Sequence, residues 1–344
     1  MAMLFFERDI ALDLGTTDTL LYVRGKGVAV REPTVVAVDK TDGRLLKVGE
    51  DARKMLGRTP VNIAAVHPIV YGVISDYDMT TRMLQDLMSR VTSFSFFKPR
   101  VLVCVPGSIT GVEERAVIDS LIEAGARKVF LIESAIAAAT GAGVDISKPD
   151  GHMVIDIGGG TTEIAVVSLG GVVENESIKI AGDAFDDAII RYVRKKYNVL
   201  IGAATAEEIK REIGTVFDNG DGAVRECKGR SIVSGLPQSI TITRADMVEA
   251  FAEPMEKILE AVYMVLERTP PELVADISVN GIVLTGGGSQ VKGIDGLITS
   301  KTGIEATVVD DPVACVVYGA GKLLRNLDEM PDGMINLARR KQLN

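Results

Sequence analysis

Three stretches of the chain share one pattern, in which an apolar run leads into a turn rich in glycine. They are Ile10–Val23, Met153–Val166 and Gly281–Ser289. Apolar runs bounded by such turns are typical of buried β-strands. In the first two stretches a second apolar run follows at once, so each predicts a β-hairpin. Each hairpin also carries an aspartate just before its turn, Asp13 and Asp156, which indicates an internal duplication.

Strands and helices alternate along the rest of the chain. The apolar spacing predicts helices over 78–91, 111–124, 134–141, 244–267 and 313–327, another helix after Gln290, and strands over 100–105, 128–132 and 281–284. This alternation predicts an α/β fold of two lobes, each with a central sheet covered by helices. We expect lobe I to span 1–140 and to be completed by 314–344, and lobe II to span 141–313. The stretches 30–76 and 183–243 interrupt the alternation and are predicted to be smaller inserted subdomains.

Composition narrows the class of protein. The 344 residues are 47% hydrophobic and 25% charged, as in ordinary globular proteins. The net charge of -9 and the lack of a dense basic run argue against nucleic acid as a partner. The three cysteines are far apart, so neither disulfides nor a zinc site is expected. No apolar run is long enough to cross a bilayer, and we expect a protein of the reducing cytoplasm.

The aspartates and the turns after them suggest a phosphate site. A lone carboxylate at the end of an apolar strand is costly to bury, and a bound cation would offset that cost. Mg²⁺ prefers oxygen ligands, so Asp13 and Asp156 from facing lobes could hold it together with a polyphosphate. The turns supply backbone N–H groups and hydroxyls for phosphate oxygens; they comprise Gly15, Thr16 and Thr17, then Gly158, Gly159, Gly160 and Thr161, and in the third stretch Gly286, Gly287 and Gly288.

One such turn alone could merely close a hairpin, but three related turns favour the phosphate site. No P-loop signature and no GxGxxG motif opening a helix is present. The turns resemble the phosphate and adenosine motifs of the superfamily of actin, sugar kinases and heat-shock ATPases. Over nearly its whole length the chain resembles the MreB family of bacterial actin homologues. Besides the turns, the resemblance rests on Gly25–Gly27, Glu32–Pro33, Gly72–Tyr77, Lys98–Arg100, Ile180–Asp183, Thr205–Lys210 and Thr269–Leu273.

The resemblance implies an actin-like fold, a ribonuclease H-like duplication with ATP and Mg²⁺ between the lobes. Gly182 and Asp183 match a turn beside the nucleotide. Glu207 and Lys210 match residues that hold the ribose, and their spacing places them on one face of a helix. From the residues themselves, Thr205 and Glu208 predict a capping box at the start of that helix.

Two positions depart from the family pattern. Ser134 stands where relatives have the glutamate that orients the attacking water, whereas Thr161 matches its retained partner. A neutral serine cannot act as a carboxylate base, and Glu133 is one position away on a strand-to-helix turn. We therefore expect weak ATP hydrolysis. Asp18 places an extra carboxylate beside the phosphates, which would lower nucleotide affinity unless it points away or pairs.

The resemblance also implies membrane-associated filaments that act in cell shape. Filaments in the family are paired protofilaments on the inner face of the cell membrane, with a transmembrane morphogenetic partner such as RodZ. Two clusters of apolar residues match the membrane-inserting elements of the family: Leu4, Phe5 and Phe6, and Phe94, Phe96 and Phe97. The alternative is a small-molecule kinase of the same superfamily that phosphorylates a sugar or acetate, which would need a substrate pocket and a base aspartate.

Overall fold

A computed structural model describes residues 9–92, 98–217, 220 and 222–329. Its strands are β1 (Asp9–Leu14), β2 (Asp18–Val23), β3 (Gly27–Pro33), β4 (Val36–Asp39), β5 (Leu45–Val48), β6 (Ile63–Val66), β7 (Ile69–Val70), β8 (Val73–Ile74), β9 (Arg100–Val105), β10 (Lys128–Glu133), β11 (His152–Ile157), β12 (Thr162–Ser168), β13 (Gly171–Ile178), β14 (Val199–Leu200), β15 (Val224–Ser231), β16 (Pro237–Thr243), β17 (Ile282–Thr285) and β18 (Ala306–Val308).

The helices are α1 (Glu50–Arg53), α2 (Tyr77–Thr92), α3 (Gly111–Glu123), α4 (Ser134–Gly141), α5 (Gly182–Tyr197), α6 (Ala203–Ile213), α7 (Arg244–Arg268), α8 (Pro271–Asn280), α9 (Ile294–Thr302) and α10 (Cys315–Leu323). Short 3₁₀ helices cover Gly287–Gln290 and Leu324–Glu329.

Two five-stranded sheets have the same arrangement. The first has the order β10-β9-β1-β2-β3 and the second β13-β12-β11-β17-β18. In each, three consecutive strands form an antiparallel meander and the two remaining strands are parallel to its first strand. We call the first sheet and the elements packed on it lobe I, and the second lobe II. The repeated topology is the duplication that the two hairpins predicted.

Helices cover both faces of both sheets. The outer face of the first sheet packs on α2 and α3, and the outer face of the second packs on α5, α7 and α9. Between the sheets lie α4 and α10, whose residues share one buried cluster with inward-facing residues of both sheets. A Cβ atom on Gly319 of α10 would collide with the carbonyl oxygen of Ala137 in α4. Glycine at this position therefore lets the two helices pack closely.

Besides the main sheets, the described residues form two three-stranded sheets and the two-stranded sheet β7-β8. One joins β5, β4 and β6 and has its own small core around Val35, Ala37 and Ala52. The other joins β14, β15 and β16, and its buried residues belong to the main core cluster of lobe II. The exact limits of the lobes and of the inserted stretches remain predictions.

Several local predictions were wrong. The helix predicted over 313–327 is shorter, since α10 ends at Leu323 and a 3₁₀ helix follows. The expected capping box at Thr205 is absent because α6 begins earlier, after an N-cap at Gly202 without a side-chain cap bond. Capping boxes instead start α3, at Thr110, and α7, at Thr243.

Candidate functional site

The two aspartates are brought together between the sheets. In β1, Ile10, Leu12 and Leu14 face outward into the core of lobe I, so Asp13 faces inward, because side chains alternate along a strand. The same parity turns Asp156 inward from β11. Cys104 lies opposite Asp13 on the neighbouring strand β9. Burial is the main cause of the raised pKa of its thiol, and the negative charges of Asp13 and Asp156 raise that pKa further.

Both carboxyl groups are strongly perturbed. Burial raises the pKa of Asp13 to about 7, with a further contribution from Asp18. Burial raises the pKa of Asp156 to about 8, helped by the charges of Asp13 and Glu163. Each carboxylate therefore needs a positive partner to be charged at neutral pH. Among the described residues, no group of three or more acidic, histidine or cysteine side chains has an arrangement that could hold a metal ion by itself. Two oxygen donors at one point suit Mg²⁺, which keeps several water ligands and phosphate oxygens.

The two hairpin turns face each other directly. A Cβ atom on Gly159 would collide with Thr17 Oγ1, and one on Gly160 would lie 2.6 Å from Thr16 Oγ1. Thr16 Oγ1 also accepts a hydrogen bond of 2.8 Å from the backbone N–H of Gly72. The structure thus places the threonine hydroxyls of lobe I against the glycine turn of lobe II.

A third segment closes the side of the lobe II turn. The N–H groups of Gly182 and Asp183 donate to the carbonyl oxygens of Gly158 and Gly159, at 3.0 and 2.8 Å. Lys210 Nζ donates to the carbonyl oxygen of Gly182 at 2.8 Å. Segments far apart in sequence therefore meet beside the glycine turn of lobe II.

Lys210 and Asp183 have further electrostatic partners. Lys210 Nζ also contacts Asp186 Oδ2 at 2.8 Å. Burial raises the pKa of Asp183, whereas Lys210 and His67 of lobe I oppose that rise. Lys210 consequently ties α6 to the start of α5 beside the glycine turn.

The third glycine turn reaches the same place from β17. Gly286 has a φ of 81°, and a Cβ atom there would collide with Asp156 Oδ1. A Cβ atom on Gly288 would lie 3.2 Å from the carbonyl oxygen of Gly158. Gly287 begins the short 3₁₀ helix, which also contains Gly288. Glycine is needed here because the backbone closely approaches both Asp156 and the glycine turn of lobe II.

The residues predicted to act on water lie at the junction of the lobes. Ser134 is the first residue of α4 and Glu133 is its N-cap. Glu133 Oε2 lies 4.0 Å from the position of a Cβ atom on Gly107. Thr161 Oγ1 lies 3.8 Å from the corresponding position on Gly72. Their roles in hydrolysis remain predictions.

Sequence reasoning missed Glu163, the residue paired with Asp156 across the lobe II hairpin. Glu163 is 6% exposed and accepts hydrogen bonds from Ser177 Oγ and from the backbone N–H of Gly107 in lobe I. Burial raises the pKa of its carboxyl group. Pairing residues across the predicted turn that follows Asp156 would have placed Glu163 opposite Asp156, on the same inner face of the hairpin.

Sequence reasoning also missed Arg53. Its Nη2 donates to both carboxylate oxygens of Glu207, at 2.8 and 2.7 Å, so α1 of lobe I contacts α6 of lobe II. Arg53 also lies near Asp18, the extra carboxylate noted in the sequence. Burial raises the pKa of Asp18, whereas the positive charges of Arg31, Arg53 and Arg211 lower it.

The membrane prediction concerns Leu4, Phe5, Phe6, Phe94, Phe96 and Phe97, which all lie outside the described residues. Among the helices of the described part, none is long and apolar enough to cross a membrane.

Two lobes of duplicated topology, with an aspartate and a glycine turn from each meeting between them, define a protein of the actin-like class. A family model described as MreB/Mbl protein matches residues 7–332. The cell shape-determining protein MreB of Escherichia coli is 49% identical over 329 residues, which cover 94% of this chain and 95% of that protein. The chain belongs to the MreB/Mbl family.

Solved structures agree with this assignment. MreB5 of Spiroplasma citri bound to ADP has a TM-score of 0.90 and 36% identity, with 94% of this chain and 99% of that chain covered. The same protein bound to AMPPNP has a TM-score of 0.88 and covers 94% and 97% of the two chains. A MamK double helical filament has a TM-score of 0.80 with coverage of 95% and 100%; at 20% identity it shows the shared fold alone.

Proposed function

We propose that this chain binds ATP and Mg²⁺ between its lobes and assembles into filaments that take part in determining cell shape. The main support for this proposal is that Asp13 and Asp156, together with their glycine turns, lie close to each other at the junction of the lobes. The relative named as cell shape-determining and the MreB5 structures with ADP and AMPPNP support the same function.

Each part of the site has a role in this proposal. The turns around Thr16 and Gly159 bind the phosphates through backbone N–H groups and hydroxyls. Asp13 and Asp156 hold the cation, directly or through its waters. Glu207 and Lys210 bind the ribose, and Gly286–Gly288 lies against the adenosine. Mg²⁺ supplies positive charge that stabilises the phosphates and both carboxylates.

We connect assembly with the nucleotide because the bound nucleotide contacts both lobes. A ligand that binds a closed arrangement more tightly than an open one shifts the protein towards the closed form. The surfaces at the two ends of the molecule then have a fixed relative position, which favours a regular polymer. Thr161 remains in place, but Ser134 cannot accept a proton from water as a carboxylate does, so hydrolysis is slow.

The membrane association implied by the resemblance belongs to this proposal. Filaments lie on the inner face of the cell membrane, with a transmembrane partner such as RodZ. Their anchors are the two apolar clusters of the sequence analysis, Leu4, Phe5 and Phe6, and Phe94, Phe96 and Phe97. The net charge of -9 opposes binding of one molecule to an acidic membrane. A filament that repeats the anchor would bind by avidity.

The test is sedimentation with and without Mg-ATP. Asp156→Ala should weaken ATP binding and reduce pelleted polymer, whereas Asp150→Ala, which changes an exposed residue just before β11, should do neither. Unchanged pelleting of the Asp156 variant despite lost ATP binding would contradict the coupling. Transfer of phosphate to sugars or acetate in a coupled assay would support the kinase alternative instead.

A further inference from the structure

The contact between Arg53 and Glu207 joins two elements that are otherwise on opposite sides of the cleft. Arg53 ends α1 of lobe I and Glu207 lies on α6 of lobe II. One nitrogen of the guanidinium, Nη2, lies 2.8 Å from Oε1 and 2.7 Å from Oε2. Each side chain is about one-third exposed, so the pair is at the edge of the cleft rather than in the core.

The helices that carry Arg53 and Glu207 are each held in place by contacts within their own lobe. Ala52, next to Arg53, is fully buried in the small core of the lobe I insert, and the N–H of Glu50 donates to Glu32 at 2.9 Å. Glu32 is held in turn by Arg90 at 2.6 Å. The position of Arg53 is therefore set by its own subdomain and does not depend on Glu207.

Helix α6, which carries Glu207, is held in place as well. Ala206 and Ile209 of α6 are fully buried in the core of lobe II. Lys210, one turn after Glu207, is bonded to Gly182 and Asp186. Because α1 and α6 are each held within their own lobe, the bond between Arg53 and Glu207 fixes the direction of the carboxylate.

The contact leaves Glu207 able to bind a ligand. Two carboxylate oxygens have about four acceptor positions, and Arg53 occupies one on each oxygen. The remaining positions can accept hydrogen bonds from the two ribose hydroxyls.

We infer that Arg53 is a positioning residue for the nucleotide. From lobe I it orients the Glu207 carboxylate of lobe II towards the ribose, so that ribose recognition requires the lobes to be closed. This inference rests on the proposed nucleotide function and adds to it a residue outside the turns.

The test compares ATP with 2′,3′-dideoxy-ATP, which lacks both ribose hydroxyls. We expect Arg53→Gln to weaken ATP binding about tenfold, the range of one lost hydrogen bond to a charged group. Binding of the dideoxy nucleotide should change less than twofold. Arg53→Lys should recover most of the ATP affinity, because a single nitrogen makes the contact. Lys54→Gln, next in the chain and paired with Asp51 on its own helix, is the matched control.

A double-mutant cycle tests the route through Glu207. Arg53→Gln combined with Glu207→Gln should weaken ATP binding no more than Glu207→Gln alone. Equal losses for ATP and the dideoxy nucleotide, or additive losses in the cycle, would overturn the role of Arg53. Absence of ATP binding by the unmodified protein would instead refute the proposed function, so the two failures are distinguishable.

Discussion

Burial of Asp156 imposes a large electrostatic cost on the folded protein, and this cost can be measured without nucleotide. Replacing Asp156 by Asn keeps the size of the side chain and removes its ionisation. In the absence of a cation, burial and the nearby charges of Asp13 and Glu163 disfavour the charged form of this carboxyl group. We therefore expect Asp156→Asn to stabilise the metal-free protein at neutral pH.

The sign and size follow from the pKa values. The pKa of Asp156 is about 8 in the folded chain, against a usual value of 3.8. The unfolded chain releases this proton first, so the free energy of unfolding falls as pH rises from about 4 to about 8. At pH 7 the loss amounts to about 4 kcal/mol at 1.36 kcal/mol per unit. Asp13 shares part of this cost, so we expect roughly 2 to 4 kcal/mol from one substitution.

The assay is urea denaturation in EDTA at several pH values from 5 to 8, with Asp150→Asn as control. The stability difference between the Asp156 variant and the unmodified protein should grow by about 1 kcal/mol per pH unit, with little change in the control. Mg-ATP should reverse the order, since a cation favours the ionised carboxylate. Stability curves that stay parallel across this range would refute the electrostatic argument.

Two further predictions concern activity and localisation. Ser134→Glu should raise phosphate release at saturating ATP by about 10² to 10⁴, the range of a general base, and should shorten polymer lifetime; release by the unmodified protein already as fast as in the variant would mean that another group, such as Glu133, has this role. Changing Phe94, Phe96 and Phe97 together to Ser should abolish liposome co-sedimentation and leave ATP binding intact, whereas loss of the cooperative thermal transition would assign these rings to the core.

Much of the main architecture could be predicted because it depends on local patterns. Strand parity alone sends Asp13 and Asp156 to the inner faces, and the glycine turns mark where each strand ends. The spacing of buried residues in α2 likewise follows the apolar period. These features need no knowledge of distant contacts.

The missed features depend on distant parts of the chain or on competing local signals. Arg53 and Glu207 meet only after both subdomains are placed, so no local pattern marks the pair. The start of α6 differs from the prediction because Thr205 and Glu208 have the spacing of a capping box, whereas the helix already includes the exposed residues Ala203 and Ala204. The high helix propensity of alanine favours this earlier start.

The middle layer of the molecule links these observations. The aspartates can meet only because the small residues of α4 and the glycines of α10 let the two sheets approach, and Gly141 would collide with the carbonyl oxygen of Cys315 if it carried a Cβ atom. Ser134 begins α4, directly after β10, and therefore lies at one end of this close-packed layer. A shift of α4 against α10 would change the distance between Asp13 and Asp156 and the position of Ser134 together. We therefore expect the separation of the two aspartates and the position of Ser134 to depend on the same pair of helices.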